Sequence, residues 1–207
     1  MTRRVEPERE AAFWSGVAET GRFFMGDSDV HRALRKLAKT LDEAGIPYAF
    51  IGAMALNQYG YRRATADVDV LLNAEGLVAL KARVLGLGYV EKFPGSTGLR
   101  DTENNVVIDV VIAGAYPGDG KPKAVRFPDP ASVALRGDAG AFVPLPTLIE
   151  LKLASGMSAA HRLRDLADVL ELIRAAGLTV ELAEELDASV REKYRELWTA
   201  AQQADRG

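Results

Sequence analysis

The sequence of 207 residues contains no cysteine and only two histidines. Disulfides, thiolate chemistry and zinc–cysteine sites are therefore excluded, and a histidine-rich metal centre is not expected. The net charge of −3 gives no global basic field, so a polyanionic partner would need a local patch. No apolar run approaches the ~18 residues of a membrane helix, and the N-terminus lacks the apolar core of a signal peptide. We therefore expect a cytoplasmic protein with no membrane partner.

An apolar fraction of 48% is enough to bury a sizeable core. Hydrophobic periodicity predicts a mixed α and β first half and a helical second half, which changes over near residue 145. We divide the chain into an N-terminal helical extension (1–27), an α/β core (28–145) and a C-terminal helical region (146–207). Phe13 and Trp14 belong to an amphipathic helix in the extension, which packs on the body or serves as a dimer or partner surface.

The stretch from residue 48 to residue 72 organises the chain. A short apolar strand leads into Gly52, a short helix follows, and a second strand carries Asp67 and Asp69. Successive side chains of a strand point to opposite faces, so the two aspartates share a face with Cα atoms roughly 6.5–7 Å apart. Two carboxylates that converge on one cation suit Mg²⁺. The alternative is a solvated strand face.

Asp109 interrupts the apolar strand VVIDVVI at residues 106–112. An unpaired charge is expensive to bury there, and a metal ion or a cationic partner would relieve that cost. If this strand lies beside the strand of Asp67 and Asp69, three carboxylates meet and need cations to neutralise them. The alternative is a salt bridge from Asp109 to Arg100 or Arg63.

Gly52 lies at a strand-to-helix junction, where free backbone N–H groups can face a phosphate and glycine permits close approach. In the second half we predict helices over 148–154, 160–176 and 180–201. The first carries Lys152, a candidate site residue. The alternative is that its side chain extends along the helix to the surface. The second carries a charged group that could equally be a structural ion-pair network: Arg164, Asp165 and Asp168.

The order of these motifs is more specific than any one of them. A glycine turn, Asp-x-Asp and a later aspartate on another strand resemble the DNA polymerase β-like nucleotidyltransferase superfamily. The sequence of residues 51–72 is most similar to a small prokaryotic branch, which includes minimal nucleotidyltransferase antitoxins and abortive-infection-type toxins. The resemblance covers roughly residues 45–175. It implies an α+β fold, with a mixed β-sheet flanked by helices and a helical part after it.

The resemblance also implies roles for individual residues. Asp67, Asp69 and Asp109 would hold Mg²⁺ or Mn²⁺ and form the catalytic triad. A second set would bind the nucleotide: Gly52 and Ala53 at the phosphate turn, Lys152 on the phosphates, and Arg164, Asp165 and Asp168, which match the branch's helical Arg-Asp-x-x-Asp motif. Arg63 is a further candidate for nucleotide binding because it precedes the metal strand in the chain. The chain departs from the pattern at Ala53, where the family carries glycine or serine. For Arg63 a solvated turn is the alternative.

The activity implied is nucleotidyl transfer from an NTP, with ATP among the donors, to a hydroxyl of a protein or of a tRNA-like RNA end. A cognate toxin or antitoxin protein is the implied partner. The alternative from another class is an inactive nucleotidyltransferase-like module that binds a nucleotide or a partner, which Ala53 favours. A carboxylate-metal phosphohydrolase is a third option, and the Gly52 turn speaks against it.

Overall fold

The computed structural model describes residues 7–204, with side chains from residue 15 to residue 203. Within that range no helix combines the length and the apolar character needed to cross a bilayer. The α-helices are α1 (Pro7–Phe24), α2 (Asp29–Glu43), α3 (Gly52–Gln58), α4 (Ala74–Val84), α5 (Pro130–Val133), α6 (Leu145–Ser158), α7 (Leu163–Ala176) and α8 (Arg191–Ala204). The strands are β1 (Ala49–Phe50), β2 (Asp67–Leu72), β3 (Tyr89–Glu91), β4 (Leu99–Asp101), β5 (Val106–Ile112), β6 (Leu135–Gly137) and β7 (Gly140–Phe142).

The seven strands form one mixed sheet in the order β3-β4-β5-β2-β1-β7-β6. The central strand β2 pairs antiparallel with β1 and parallel with β5. Val68 and Val70 of β2 are fully buried, whereas Asp67 and Asp69, which point to the opposite face, are only partly buried. The predicted α+β class, with a mixed sheet flanked by helices, is confirmed.

Helix α2 follows its sequence signals closely. The Ser28 hydroxyl accepts a hydrogen bond from the backbone N–H of His31 and so caps the first turn. Its apolar stripe, which includes Leu34 and Leu37, is buried among the residues of the core. Gly45 ends the segment with a φ of +63°, a left-handed conformation that glycine adopts without strain.

Within the predicted N-terminal extension, residues Pro7–Phe24 form the helix α1. The side chains of Phe13 and Trp14 lie outside the described residues. Farther along α1, Phe23 is 5% exposed, and its ring centroid lies 4.8 Å from that of His31 on α2. The end of α1 therefore packs on the body of the molecule.

The prediction of one helix over residues 180–201 is wrong. A 3₁₀ helix (Val180–Glu185) is followed by a turn, and α8 begins at Arg191. The turn forms because Asp187 accepts hydrogen bonds from the backbone and hydroxyl of Ser189, while its own N–H donates to Glu150 of α6 at 2.6 Å. The segment before α7 also differs, since residues 160–162 form a 3₁₀ turn rather than α-helix.

Candidate active site

The pairing of β2 with β5 brings the three predicted carboxylates to one face of the sheet. Asp69 lies directly opposite Asp109 in the parallel ladder, and Asp67 precedes Asp69 by two residues. Neighbouring strands are about 4.8 Å apart, and directly paired side chains point to the same side. The predicted triad required these two strands to be adjacent, and they are.

The surroundings of Asp69 oppose its negative charge. Burial raises the pKa of Asp69 to about 6, and the charges of Asp67 and Asp109 contribute to the rise. The positive charges of Lys152 and Arg63 act in the other direction. A carboxylate with this environment gains from a nearby cation, because a cation offsets both the burial and the repulsion.

Asp67 and Asp109 each have a hydrogen-bond partner. The Thr65 hydroxyl donates to Asp67. The Lys92 ammonium donates to Asp109 Oδ1 at 2.7 Å, so the salt bridge considered for Asp109 exists, but with Lys92. The partners that we named for it from the sequence are engaged elsewhere: Arg100 with Asn105, and Arg63 with Asp168.

Gly52 opens α3 beside Asp69. A Cβ atom at Gly52 would lie 1.9 Å from Asp69 Oδ2, and the φ of Gly52 is +63°. Glycine is therefore required here by the approach of the carboxylate as well as by the backbone conformation. Ala53, the next residue, is 4% exposed. Both residues line the cleft described below.

A buried ion-pair cluster lies beside the carboxylates. Lys152 on α6 donates to Asp168 at 2.7 Å and to Asp165 at 3.1 Å, both on α7. Arg63 donates to Asp168 at 2.6 Å, and Ser155 donates to Asp165 at 2.7 Å. The partly exposed Arg162 guanidinium also lies 4.0 Å from Asp165 Oδ2, so three cations face the two carboxylates.

The structure separates the helical residues that the sequence grouped together. Lys152 is 7% exposed, so the alternative in which it extends to the surface is wrong. Asp165 and Asp168 belong to the ion-pair cluster, as the structural alternative proposed. Arg164 is exposed and lies outside both the cluster and the cleft, so the structure does not bring it to the other site residues. Arg63 lies in the cluster rather than in a solvated turn.

One cleft of about 610 Å³ is lined by the three aspartates, the Gly52–Ala53 turn, Arg63, Lys152 and Asp165. Its lining includes residues that sequence reasoning did not single out as site residues, such as Tyr116, Ser155 and Arg162. Tyr116 comes from the irregular segment after β5, and no local pattern marks it. Ser155 and Arg162 lie between Lys152 and Asp165 in the chain. This position identifies them as cleft residues only once α6 and α7 are known to pack together.

The carboxylate set fits a divalent metal ion by its chemistry. Asp67, Asp69 and Asp109 offer only hard oxygen donors, which Mg²⁺ and Mn²⁺ prefer, and their mutual repulsion is what a cation relieves. Among the side chains that the structure describes, no three carboxylates or histidines are placed to ligate one ion together. The Asp109 carboxylate faces Lys92, so a metal ion would compete with that ammonium.

No protein-family model matches the sequence, and a search of curated proteins found no significant match. Among solved structures, the crystal structure of ANT(2'')-Ia in complex with adenylyl-2''-tobramycin is similar with a TM-score of 0.50 and 14% identity, covering 84% of this chain and 97% of that chain. An H. pylori protein proposed to be a nucleotidyltransferase gives a TM-score of 0.46, 19% identity and coverages of 84% and 92%. The solution structure of antibiotic-resistance factor ANT(2'')-Ia gives a TM-score of 0.44 and 15% identity, covering 91% of this chain and 96% of that chain.

At these identities the similarity concerns the fold. It rests on the first of the three structures, which covers most of both chains. The chain thus shares a mixed α/β fold with ANT(2'')-Ia, while its motifs resemble those of the polymerase β-like nucleotidyltransferases.

Proposed function

We propose that this protein is a Mg²⁺-dependent nucleotidyltransferase that moves an NMP from an NTP to an acceptor hydroxyl. The observation that carries the proposal is the set of three aspartates on β2 and β5, on one face of the sheet and in one cleft with the Gly52 turn. Mg²⁺ held by Asp67, Asp69 and Asp109 would supply charge neutralisation for the triphosphate. The acceptor oxygen forms a bond to the α-phosphorus as the bond to pyrophosphate breaks.

The protein's own groups position the reactants and handle the proton. Asp109 keeps 41% of its side chain exposed, so its carboxylate can accept the proton of an acceptor hydroxyl. Lys152 uses two of its three ammonium protons on Asp165 and Asp168, which leaves one for a phosphate oxygen. In this proposal Gly52 and Ala53 line the phosphate turn.

The donor and the acceptor are proposed more narrowly as ATP and as a hydroxyl of a protein side chain or an RNA end. The adenylyl group in the ligand of the similar ANT(2'')-Ia structure supports ATP as the first donor to test. The motif resemblance supports a toxin–antitoxin or phage-defence setting, with a cognate toxin or antitoxin protein as partner. Arg63 and Asp165 line the cleft and would orient the nucleotide.

Incubation with Mg²⁺ and each α-³²P-labelled NTP, with total tRNA and cell protein as acceptors, tests the proposal. Wild type is expected to transfer label, and Asp67→Asn to reduce transfer more than about 100-fold through loss of an active-site charge. Asp138→Asn removes an exposed carboxylate of the β6–β7 turn and is the matched control, expected to transfer as wild type does. Equal transfer by Asp67→Asn and wild type would contradict the assignment.

An inactive nucleotide-binding module is the second candidate, because Ala53 provides no hydroxyl at the phosphate turn and its side chain is buried. This candidate expects NTP and Mg²⁺ to raise the melting temperature of wild type while no labelled acceptor forms. If Ala53→Ser then gains transfer, the missing hydroxyl is the cause. Label transfer by wild type eliminates the candidate.

A further inference from the structure

Lys92 is the cation that faces the third carboxylate. Its Nζ lies 2.7 Å from Asp109 Oδ1, and the two side chains are 34% and 41% exposed. Lys92 directly follows β3, whereas Asp109 lies in the middle of β5, two strands away in the sheet. The side chain of Lys92 therefore reaches across the sheet face to the carboxylate.

The turn that carries Lys92 is held by its own hydrogen bonds. Glu91 accepts from Lys81 at 2.6 Å and from the backbone N–H of Gly95 at 2.8 Å. Lys81 also donates to the Ser96 carbonyl at 2.5 Å, and the Ser96 side chain is buried. The backbone N–H of Lys92 donates to the Gly98 carbonyl at 3.1 Å. The direction in which Lys92 leaves the turn is thus fixed by neighbouring groups.

Gly98 provides the space through which the Lys92 side chain passes. A Cβ atom at Gly98 would lie 2.6 Å from Lys92 Cδ and 3.4 Å from Asp109 Oδ1. The φ of Gly98 is outside the left-handed region, so its backbone conformation does not demand glycine. The close contact with the lysine stem and the carboxylate is what a larger residue would disturb.

We propose that Lys92 is the counter-cation of Asp109, and that a divalent metal ion binds at Asp109 only by displacing the Lys92 ammonium. The proposal rests on the proposed function for the identity of the metal site. Lys92 is a positioning residue: its ammonium holds the Asp109 carboxylate at the cleft and lowers the metal affinity of the site through direct competition for the same oxygen. Metal binding frees the ammonium from the carboxylate.

The pair contributes little to folding, which makes the inference testable. Ion pairs with this exposure add little to stability, so a variant without the lysine charge is expected to stay folded. The relevant variants are Lys92→Met, which keeps the aliphatic stem, and Lys92→Arg, which keeps the charge. Lys39→Met removes one charge from an exposed lysine of α2 and is the control for net charge.

Titration with Mn²⁺ alone, followed by the EPR signal of the free ion, measures the affinity directly. Lys92→Met is expected to bind Mn²⁺ about five-fold more tightly than wild type, which is the scale of a partly exposed charge pair. Lys92→Arg and Lys39→Met are expected to match wild type. In an Asp109→Asn background, Lys92→Met is expected to change the Mn²⁺ affinity no further, because the shared oxygen pair is gone.

Equal or weaker Mn²⁺ binding by Lys92→Met overturns the competition. Tighter binding that persists in the Asp109→Asn background also overturns it, since the lysine would then act on another ligand. Failure of both wild type and Lys92→Met to bind Mn²⁺ overturns the competition together with the metal site of the proposed function. If Lys92→Met binds Mn²⁺ more tightly but neither wild type nor any variant transfers labelled nucleotide, the inference stands and the proposed function fails.

Discussion

At Gly52 the backbone has a φ of +63°, and an added Cβ atom would lie 1.9 Å from Asp69 Oδ2. The first property makes any larger residue strained, and the second makes it displace a carboxylate. Gly45 has the same φ of +63° with nothing within 4 Å of its Cβ position. The two glycines therefore separate the effect of the backbone conformation from the effect of contact with the carboxylate.

Gly52→Ala is expected to lower the free energy of unfolding by about 1–3 kcal/mol through its strained φ and to abolish Mn²⁺ binding. The loss of binding follows because the Asp69 carboxylate must move away from Asp67 and Asp109. Gly45→Ala is expected to lose a similar stability and to bind Mn²⁺ as wild type does. Urea unfolding and Mn²⁺ titration of both variants measure this, and normal Mn²⁺ binding by Gly52→Ala contradicts it.

At the scale of the elements, the ion-pair cluster joins α6, α7 and the loop before β2. Lys152 and Arg63 both donate to Asp168, whose side chain is only 4% exposed. Asn57 of α3 holds the same loop, because its side chain bonds both the backbone N–H and the carbonyl of Arg63. The cluster therefore connects the helical half of the chain to the strand that carries Asp67.

Asp168→Ala is expected to lower the free energy of unfolding by about 3–5 kcal/mol, because it leaves Lys152 and Arg63 buried without their shared carboxylate. Glu171→Ala on the same helix breaks the partly exposed pair with Arg174 and is expected to change stability by less than about 1 kcal/mol. Urea denaturation of the two variants compares a buried pair with an exposed one. Similar small losses in both would contradict a structural role for the cluster.

The elements were predictable from the sequence where the signal is local. Ser28 and Gly45 mark the ends of α2, and the alternation around Asp67 and Asp69 marks β2, because caps and strand faces depend on neighbours in the chain. The break before α8 was missed, since the Asp187 turn is completed by Glu150 from α6. That hydrogen bond exists only after the helices pack.

The candidate site likewise combines residues that the local sequence predicts with contacts that only tertiary packing creates. The three aspartates were predictable because each interrupts or alternates with apolar residues on a strand. The salt bridge from Lys92 to Asp109 was not, because the two residues meet only when β3, β4 and β5 form their hairpins. The partners of Lys152 were likewise hidden until α6 and α7 pack side by side. Spacing along the chain identifies residue types, whereas tertiary packing decides which charges they face.

At the scale of the whole molecule, a buried carboxylate ties α2 to the sheet. Asp101 of β4 is 0% exposed and accepts from Lys36 of α2 at 2.6 Å and from Asn104 at 2.6 Å. Burial alone would raise the pKa of Asp101, but the hydrogen bonds from Asn104, Lys36 and the backbone of Glu103 outweigh it and hold this pKa below its usual 3.8. The folded protein thus favours the ionised form.

Asp101→Asn is expected to lower the free energy of unfolding by about 1–3 kcal/mol near pH 7, since a charged hydrogen-bonded acceptor is lost. Because the pKa is lower in the folded state than in the unfolded state, the carboxylate's contribution is fully present above 3.8 and is lost as pH falls through the folded-state pKa. The stability difference between wild type and Asp101→Asn should therefore be constant down to pH 3.8 and narrow below it. Urea unfolding of wild type, Asp101→Asn and the exposed control Asp138→Asn across this pH range measures the difference in free energy of unfolding. A difference that grows as the pH falls would contradict a lower pKa of Asp101 in the folded state.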